Sequence, residues 1–214
     1  MKLEQLYDSN IFESNKIIGR KFYNKINGLK GKRILEVGCG TGDICKDLTK
    51  DNEVHGIDLS SKSLKAAKSR GVITKMYNIE NGLPYKSAHF DILICSELVE
   101  HLFDPEHVIK EANRVLKKGG LLLLSTPNFY STINRLKILK GRHRGIELPN
   151  YAAQQHIRFY SHASIREMLV RNNFAVANQE GIGFHPMKNE RLLKFFEKRL
   201  KTFCDGIFVE AVKK

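Results

Sequence analysis

The residues best suited to chemistry lie in two stretches. The first is Glu36-Val37-Gly38-Cys39-Gly40-Thr41-Gly42. Glycines at alternate positions do not belong inside a regular element, so the apolar, β-branched run Arg33 to Val37 reads as a buried strand that ends in a loop. Without a Cβ, that loop can turn sharply and bring main chain against a ligand. Glu36 sets a carboxylate at the carboxyl end of the strand, where open α/β sheets bind their ligands. The second stretch is Ser96-Glu97-Leu98-Val99-Glu100-His101. Glu97, Glu100 and His101 stand at i, i+3 and i+4, so on a helical turn they would share one face. Two carboxylates and an imidazole make a donor set for a divalent cation, which would relieve the repulsion between the acids. The plainer alternative is that Glu97 or His101 only orders the loop or caps the next helix.

These stretches must be held by the elements around them. Residues 5–28 carry apolar positions at helical spacing and predict one or two helices before the first strand. Asp43 to Lys50 reads as a helix and Val54 to Asp58 as a second strand ending in an acid. Ser60 caps a helix that runs to about Arg70 and stops at Gly71. Val72 to Tyr77 is a third strand, Asn81 to Pro84 a turn and Phe90 to Cys95 a fourth strand. Asp104-Pro105 opens a helix running to Lys118, which Gly119-Gly120 ends before a fifth strand, Leu121 to Ser125. Regular alternation lapses over 127–158. Ser161 to Asn172 is then a helix, Phe174 to Gly181 a sixth strand and Ile207 to Val212 a seventh. Continuously apolar strands are covered on both faces, which predicts a largely parallel sheet with helices outside.

A dinucleotide fingerprint wants Gly-x-Gly-x-x-Gly against a pyrophosphate. Here Asp43 occupies the place of its third glycine, and Glu36 would set a carboxylate near the phosphates. A ligand with a cationic amine and no phosphate suits the loop better. The stretch resembles the first motif of class I S-adenosylmethionine-dependent methyltransferases, and the resemblance extends over nearly the whole chain. It implies an α/β fold: Rossmann-like, with a seven-stranded, mostly parallel sheet, helices on both faces and an antiparallel last strand. The chain is expected to be one methyltransferase domain over 1–214, with an N-terminal helical segment at 1–31 and lid or substrate elements at 127–160 and 184–204. The implied cofactor is S-adenosyl-L-methionine, held by Glu36, Gly38, Cys39, Gly40, Gly42, Asp58, Leu59, Asn78, Ile79 and Ser96. Asp58 falls where the family's acid accepts both ribose hydroxyls, and two acceptor oxygens suit a vicinal diol. Asn78-Ile79-Glu80 falls where the family usually has Asp-Ala-Glu against the adenine edge. Asn78 departs from that pattern, though an amide can still make the hydrogen bond. Ser96 matches the position near the methionine end.

The Glu-x-x-Glu-His pattern resembles two groups of these enzymes. One is the ubiquinone-biosynthesis O-methyltransferases, acting on catechol-like hydroxyls; the other is the small-RNA 3′-end 2′-O-methyltransferases. In both, the matching residues hold a magnesium-like ion. In the RNA group a further histidine follows a Thr-Pro-Asn stretch. This chain has Ser125-Thr126-Pro127-Asn128 and then His156-Ile157-Arg158-Phe159. The resemblance therefore adds His156 to Glu97, Glu100 and His101 as the expected ligands of Mg2+ or Mn2+. The RNA group's histidine-rich stretch is only partly present, and no separate RNA-binding domain is expected. The implied reaction is in-line attack of a hydroxyl on a sulfonium methyl, for which positioning and deprotonation remain the tasks. A metal on the acceptor oxygen would serve both. Without metal, His101 or His156 is the general base. The catalytic candidates are thus His101, Glu97 and His156, while His55, His89, His107 and His162 read as surface or structural.

The totals set broader bounds. No apolar run of the 214 residues approaches membrane-spanning length, and Met1 to Gln5 lacks an apolar signal core, so a cytoplasmic protein is expected. Cys39, Cys45, Cys95 and Cys204 show no metal or disulfide spacing and read as reduced thiols. A formal charge of +13 fits an acidic partner, or equally a basic proteome with a solvated surface. Arg135, Lys137, Lys140, Arg142 and Arg144 alternate with Ile133, Leu136, Ile138 and Leu139. That segment suits an anionic membrane, which would place the protein peripherally there, or RNA phosphates, or a solvated lid. Residues 187–203 form a second basic, amphipathic segment, in which Arg191, Lys194, Lys198, Arg199 and Lys201 surround Phe195 and Phe196, predicting a helix packed on the core. The expected activity is methylation of a small-molecule, lipid-like or RNA hydroxyl. The alternatives are a metal-independent enzyme acting on nitrogen or carbon, and a catalytically silent cofactor-binding module.

Overall fold

The computed structural model describes residues 17–141, 156–184 and 190–214. The expected helix over residues 5–16, Arg142, Arg144 and parts of the 127–160 and 184–204 elements lie outside them. A helix over 17–26 (α1) leads to β1 (Arg33–Val37), β2 (Glu53–Asp58), α2 (Ser61–Ser69), β3 (Ile73–Met76) and β4 (Phe90–Ser96). Then come α3 (Pro105–Val115), β5 (Leu116–Pro127), α4 (Thr132–Leu139), α5 (His162–Arg171), β6 (Phe174–Ile182), α6 (Glu190–Arg199) and β7 (Gly206–Lys213). The strands form one sheet in the order β3-β2-β1-β4-β5-β7-β6. The first five strands pair in parallel, and β7 runs antiparallel to both β5 and β6, as expected for the last strand.

Side-chain alternation along the strands divides the core in two. Leu35, Val37, Leu93, Cys95, Leu122 and Leu124 pack against α3 and α5 through Val108, Ile109, Ala112, Ile165 and Leu169. Ile34, Ile92, Ile94 and Leu123 face the other way, against Ile18, Phe22 and Ile26 of α1 and Ala67 of α2. Phe22 meets Phe208 edge-on, with ring centroids 5.1 Å apart. Each such fully buried side chain contributes roughly 1.5–3 kcal/mol of transfer free energy. Covering both faces leaves the carboxyl ends of β1, β2, β4 and β5 as the place where loops can meet a ligand.

Two expected boundaries move. The helix expected over Asp43 to Lys50 is only a 3₁₀ turn, Lys46–Leu48. The Asn52 amide donates to Leu48 O (3.1 Å) and Leu29 O (2.8 Å), and Thr49 Oγ1 donates to Lys46 O (2.9 Å), so local side chains satisfy the turn's carbonyls and end it. The α3 helix stops at Val115 rather than Lys118, because β5 begins at Leu116 opposite Phe90, with an irregularity in register between Phe90 and Ile92. Gly119 at φ +74° carries that irregularity, and a Cβ on Gly120 would lie 2.8 Å from Lys117 O. The α6 helix meets only half its expectation. Phe196 stacks on Phe184 at 4.2 Å, but Phe195 is 53% exposed, since adjacent helical positions cannot face one surface. Among the described residues, no helix is long and apolar enough to cross a membrane.

The cap expected at Ser60 is present, and Asp104 and Ser161 cap the helices expected to start there, each side chain accepting a hydrogen bond from the backbone N–H three residues on. Ser161 goes further, since the Ser164 hydroxyl also accepts from its N–H at 2.9 Å. Ser161→Ala is expected to lower stability by about 1 kcal/mol in urea unfolding, without changing the slope of the transition.

Candidate active site

The glycine loop crosses the carboxyl ends of β1 and β2. Gly38, Gly40 and Gly42 all have positive φ, at +72°, +50° and +75°. A Cβ at Gly38 would come within 2.9 Å of Leu98 Cδ1, whereas one at Gly40 would meet nothing within 4 Å. The positive φ favours glycine at all three positions; a Cβ at Gly38 would also oblige the Leu98 side chain to move, while Gly40 faces open space. Gly38 and Cys39 donate their N–H groups to Ile57 O at 2.8 and 3.0 Å, which fastens the loop to β2. Asp58 completes the attachment: its Oδ2 accepts from Gly40 N at 2.9 Å and its Oδ1 from Ser60 N at 2.8 Å. Each carboxylate oxygen keeps a second lone pair for a ligand. Leu59 beside it is 66% exposed, a flat apolar surface at the site. Asn78 caps the turn Ile79–Asn81 by accepting from Glu80 N, and Ile79 is buried beneath it.

Glu36 lies below the loop, 2% exposed. The Cys45 thiol hydrogen-bonds to its carboxylate, while Oε2 has no hydrogen-bond partner among the described residues. Burial pushes the Glu36 carboxyl up to about 8, with Asp43 and Asp58 adding to the effect. An acid in that state is stabilised by any cation that reaches it. The cationic amine of an amino-acid group meets that need, so the residues present fit S-adenosyl-L-methionine.

The second stretch corrects one expectation. Glu97, Glu100 and His101 do not share a helical turn. Glu97 has φ +49°, and only Val99–His101 forms a 3₁₀ turn. The Ser125 hydroxyl donates to Glu97 Oε1 at 2.7 Å and accepts from Glu97 N, so Glu97 is held at the end of β5 and lies outside the converging donor set. Ser96 Oγ sits 3.3 Å from the same Ser125 hydroxyl. The donor atoms that do converge belong to Glu100, His101 and His156, all within 4.8 Å of one another. Thr126 Oγ1 donates to Glu100 Oε2 at 3.0 Å. Glu100 Oε1 is buried with no hydrogen-bond partner among the described residues. His101 Nε2 lies 3.9 Å and His156 Nε2 4.0 Å from it. Burial raises both acids, Glu97 further through the charge of Glu100, while burial and then His101 hold the His156 imidazole below its ordinary value. A carboxylate oxygen without a donor among the described residues, between two imidazole nitrogens, fits a divalent cation.

Ser125 and Thr126 hold the two acids, and sequence reasoning missed these roles. The signal was their place at the end of the strand beside β4. A second cluster, Glu53, His55 and His89, lies toward the amino end of β2. There Arg33 Nε donates to Glu53 Oε2 at 3.1 Å and His55 Nε2 lies 2.8 Å from Oε1, so the carboxylate is already paired and His55 is structural as expected. His162 is also structural: buried, it meets Lys201 O at 3.0 Å. All four cysteines are free and buried.

Comparisons with known proteins bear on the fold and the family. The methyltransferase domain family matches residues 14–179. The ubiquinone biosynthesis O-methyltransferase of Coxiella burnetii is 31% identical over 174 residues, 76% of this chain and 71% of that one. Among solved structures, a Thermotoga maritima S-adenosylmethionine-dependent methyltransferase described as a possible histamine N-methyltransferase superposes with TM-score 0.67 at 22% identity, covering 96% of each chain. Magnesium protoporphyrin IX methyltransferase of Synechocystis, with S-adenosylhomocysteine bound, superposes with TM-score 0.68 at 17% identity over 100% of this chain and 89% of that one.

The state of Glu36 has a measurable consequence. Its carboxyl holds a proton more tightly folded than unfolded, so its contribution is full below about 4.5 and is lost as pH rises toward about 8. In urea unfolding of the ligand-free protein, the wild type is expected to lose about 1–3 kcal/mol more than Glu36→Gln between roughly pH 5 and pH 8.5. Equal pH dependence of the two would refute this account of Glu36.

Proposed function

Because the chain belongs to the S-adenosylmethionine-dependent methyltransferases, we propose that it methylates a hydroxyl of a small, apolar acceptor above Glu100, His101 and His156, assisted by a divalent cation on those residues. The observation that carries this reading is Glu100 Oε1, buried and without a hydrogen-bond partner among the described residues, between two histidine Nε2 atoms. The curated relative at 31% identity is a ubiquinone biosynthesis O-methyltransferase, which supports oxygen as the acceptor atom and a small molecule over RNA.

S-adenosyl-L-methionine supplies the electrophilic methyl group. Glu36 would hold its amine, Asp58 its ribose hydroxyls, and Leu59, Asn78 and Ile79 its adenine, with Gly38, Cys39, Gly40, Gly42 and Ser96 completing the binding set. Mg2+ or Mn2+ on Glu100, His101 and His156 would lower the pKa of a bound hydroxyl and orient it. Ser125 and Thr126 hold Glu97 and Glu100 in place. Glu97, raised by burial and by Glu100, would favour its charged form more once a cation were bound beside the pair. The His101 side chain is 40% exposed, so the acceptor can reach it. Where no metal is bound, His156, already favouring its neutral form, can take the hydroxyl proton.

The whole of 1–214 serves as one domain in this reading, with acceptor-binding elements at 127–160 and 184–204. In the α4 helix no residue is buried, and Leu136, Ile138 and Leu139 are 53%, 44% and 82% exposed beside Lys137 and Lys140. Arg135 is occupied: it donates to Tyr130 O at 2.7 Å and lies over the Phe203 ring at 4.4 Å. These exposed apolar and basic side chains suit a lipid-like acceptor presented at an anionic surface.

Two measurements test these readings. Protein stripped with chelator and assayed on a panel of dihydroxyarenes and amines is expected to methylate the hydroxyl compounds. Mn2+ should restore about 10- to 100-fold in kcat/KM to the wild type and little to Glu100→Gln. Activity indifferent to chelation would remove the metal, and turnover of amines alone would remove oxygen as the acceptor atom. Co-sedimentation with vesicles containing phosphatidylglycerol should fall when Leu136 and Leu139 are both changed to Ser, while neutral vesicles bind neither form. Equal binding of both forms would remove the membrane reading.

A further inference from the structure

We propose that Glu80 is a positioning residue that ties the acceptor-side loop to the cofactor-side turn, a role that rests on the cofactor reading above. Glu80 belongs to the turn Ile79–Asn81, which follows β3 and lies where the adenine is expected. Its carboxylate reaches out of that turn to the opposite side of the site. Oε1 accepts from Phe103 N at 2.7 Å and Oε2 from Asp104 N at 3.3 Å. These two N–H groups fall between the end of the 3₁₀ turn Val99–His101 and the start of α3, where no regular element supplies an acceptor. One side chain therefore sets the position of the loop that follows Glu100 and His101.

The connection continues. Phe103 O accepts from Arg158 Nη2 at 2.6 Å. The N–H groups of Ile157 and Arg158 both donate to Glu100 O, at 2.9 and 3.1 Å. The segment that begins with His156 is thereby laid against Glu100 by main chain and held from the other side by Arg158. An unbroken run of hydrogen bonds leads from Asn78, through Glu80, Phe103 and Arg158, to Glu100 and the residue next to His156. Ligand contact at Asn78 and Ile79 orders the base of Glu80, and the carboxylate passes that order to the loop carrying the histidines. The role needs two acceptor oxygens on one planar group. Glutamine at position 80 could accept from only one N–H and would turn its own amide N–H toward the other.

Amide hydrogen exchange with and without S-adenosylhomocysteine tests this without knowledge of the acceptor. In the wild type, the ligand is expected to slow exchange in the loop Gly38 to Gly42. It should also slow Phe103, Asp104, Ile157 and Arg158 by about fivefold or more, the lower end of ordinary coupling between sites. In Glu80→Gln the glycine loop should keep its protection while the four distant amides lose theirs. In Arg158→Ala the loss should be confined to Ile157 and residue 158, and Arg158→Lys should restore it. A role in stability alone would lower protection with and without ligand alike. If the ligand fails to protect even the glycine loop of the wild type, the cofactor reading falls and this proposal with it. If the glycine loop is protected but the four amides do not respond, or respond equally in Glu80→Gln, the proposal is overturned. Should Glu80→Gln not fold, the Arg158→Ala and Arg158→Lys pair decides, because that side chain lies at the surface and its removal opens no cavity.

Discussion

The site rests on the cost of holding carboxyl groups out of water at the ends of parallel strands. Glu36 and Glu100 are almost completely buried, and each keeps one oxygen without a hydrogen-bond partner among the described residues. A buried carboxylate is tolerated when donors or cations meet it, and otherwise it takes up a proton. Cys45, Ser125 and Thr126 meet part of the need. The rest is open to ligands, in the proposed reading an amine at Glu36 and a cation at Glu100. Well-packed apolar residues in those places would give a more stable ligand-free protein with nothing to recognise.

The sheet makes that arrangement possible. Strands covered on both faces are held by Leu and Ile on one side and by Phe22, Ile26 and Ile94 on the other. Polar groups are thereby driven to the strand ends, and the carboxyl ends of β1, β2, β4 and β5 bring Glu36, Asp58, Ser96 and Ser125 to one edge. Three glycines at alternate positions, all with positive φ, then let main chain lie close above them. The loop is held by Asp58, so the residue expected to read the ribose also shapes the loop beside it.

The strands were legible in the sequence because uninterrupted apolar runs have few other uses, and Ser60, Asp104 and Ser161 marked helix starts by local chemistry alone. The boundaries that moved depended on distant side chains. Asn52 ends the turn after Gly42 by reaching Leu29 and Leu48, and no periodicity within Asp43 to Lys50 carries that information. The donor set shows the same division. The spacing of Glu97, Glu100 and His101 suggested a shared helical face, but Glu97 adopts a left-handed backbone conformation and belongs to Ser125. His156 was suggested by resemblance and joins Glu100 through main-chain contacts of Ile157 and Arg158 that sequence spacing does not encode. Ionisable residues announce that chemistry is possible; which of them meet depends on loop conformation and long-range hydrogen bonds.

The charge distribution bears on what the enzyme recognises. The chain carries a formal charge of +13, yet the groups gathered at the strand ends are Glu36, Asp58, Glu97 and Glu100. The excess of lysine and arginine therefore does not create a cationic reaction centre. Burial pushes Glu97 and Glu100 toward their protonated forms when no cation is near, so this part of the molecule offers no standing positive charge to a phosphate or carboxylate. The same acids favour a neutral hydroxyl that loses its proton only once a metal or a neutral histidine is in reach. Basic residues such as Lys137 and Lys140 lie instead on the exposed α4 helix, among apolar side chains, where they can attract an anionic surface without interfering with the chemistry. The acids at the strand ends and the lysines of α4 belong to different elements, so the proposed approach to an anionic surface and the proposed reaction on a neutral oxygen make no conflicting demand on one patch of charge.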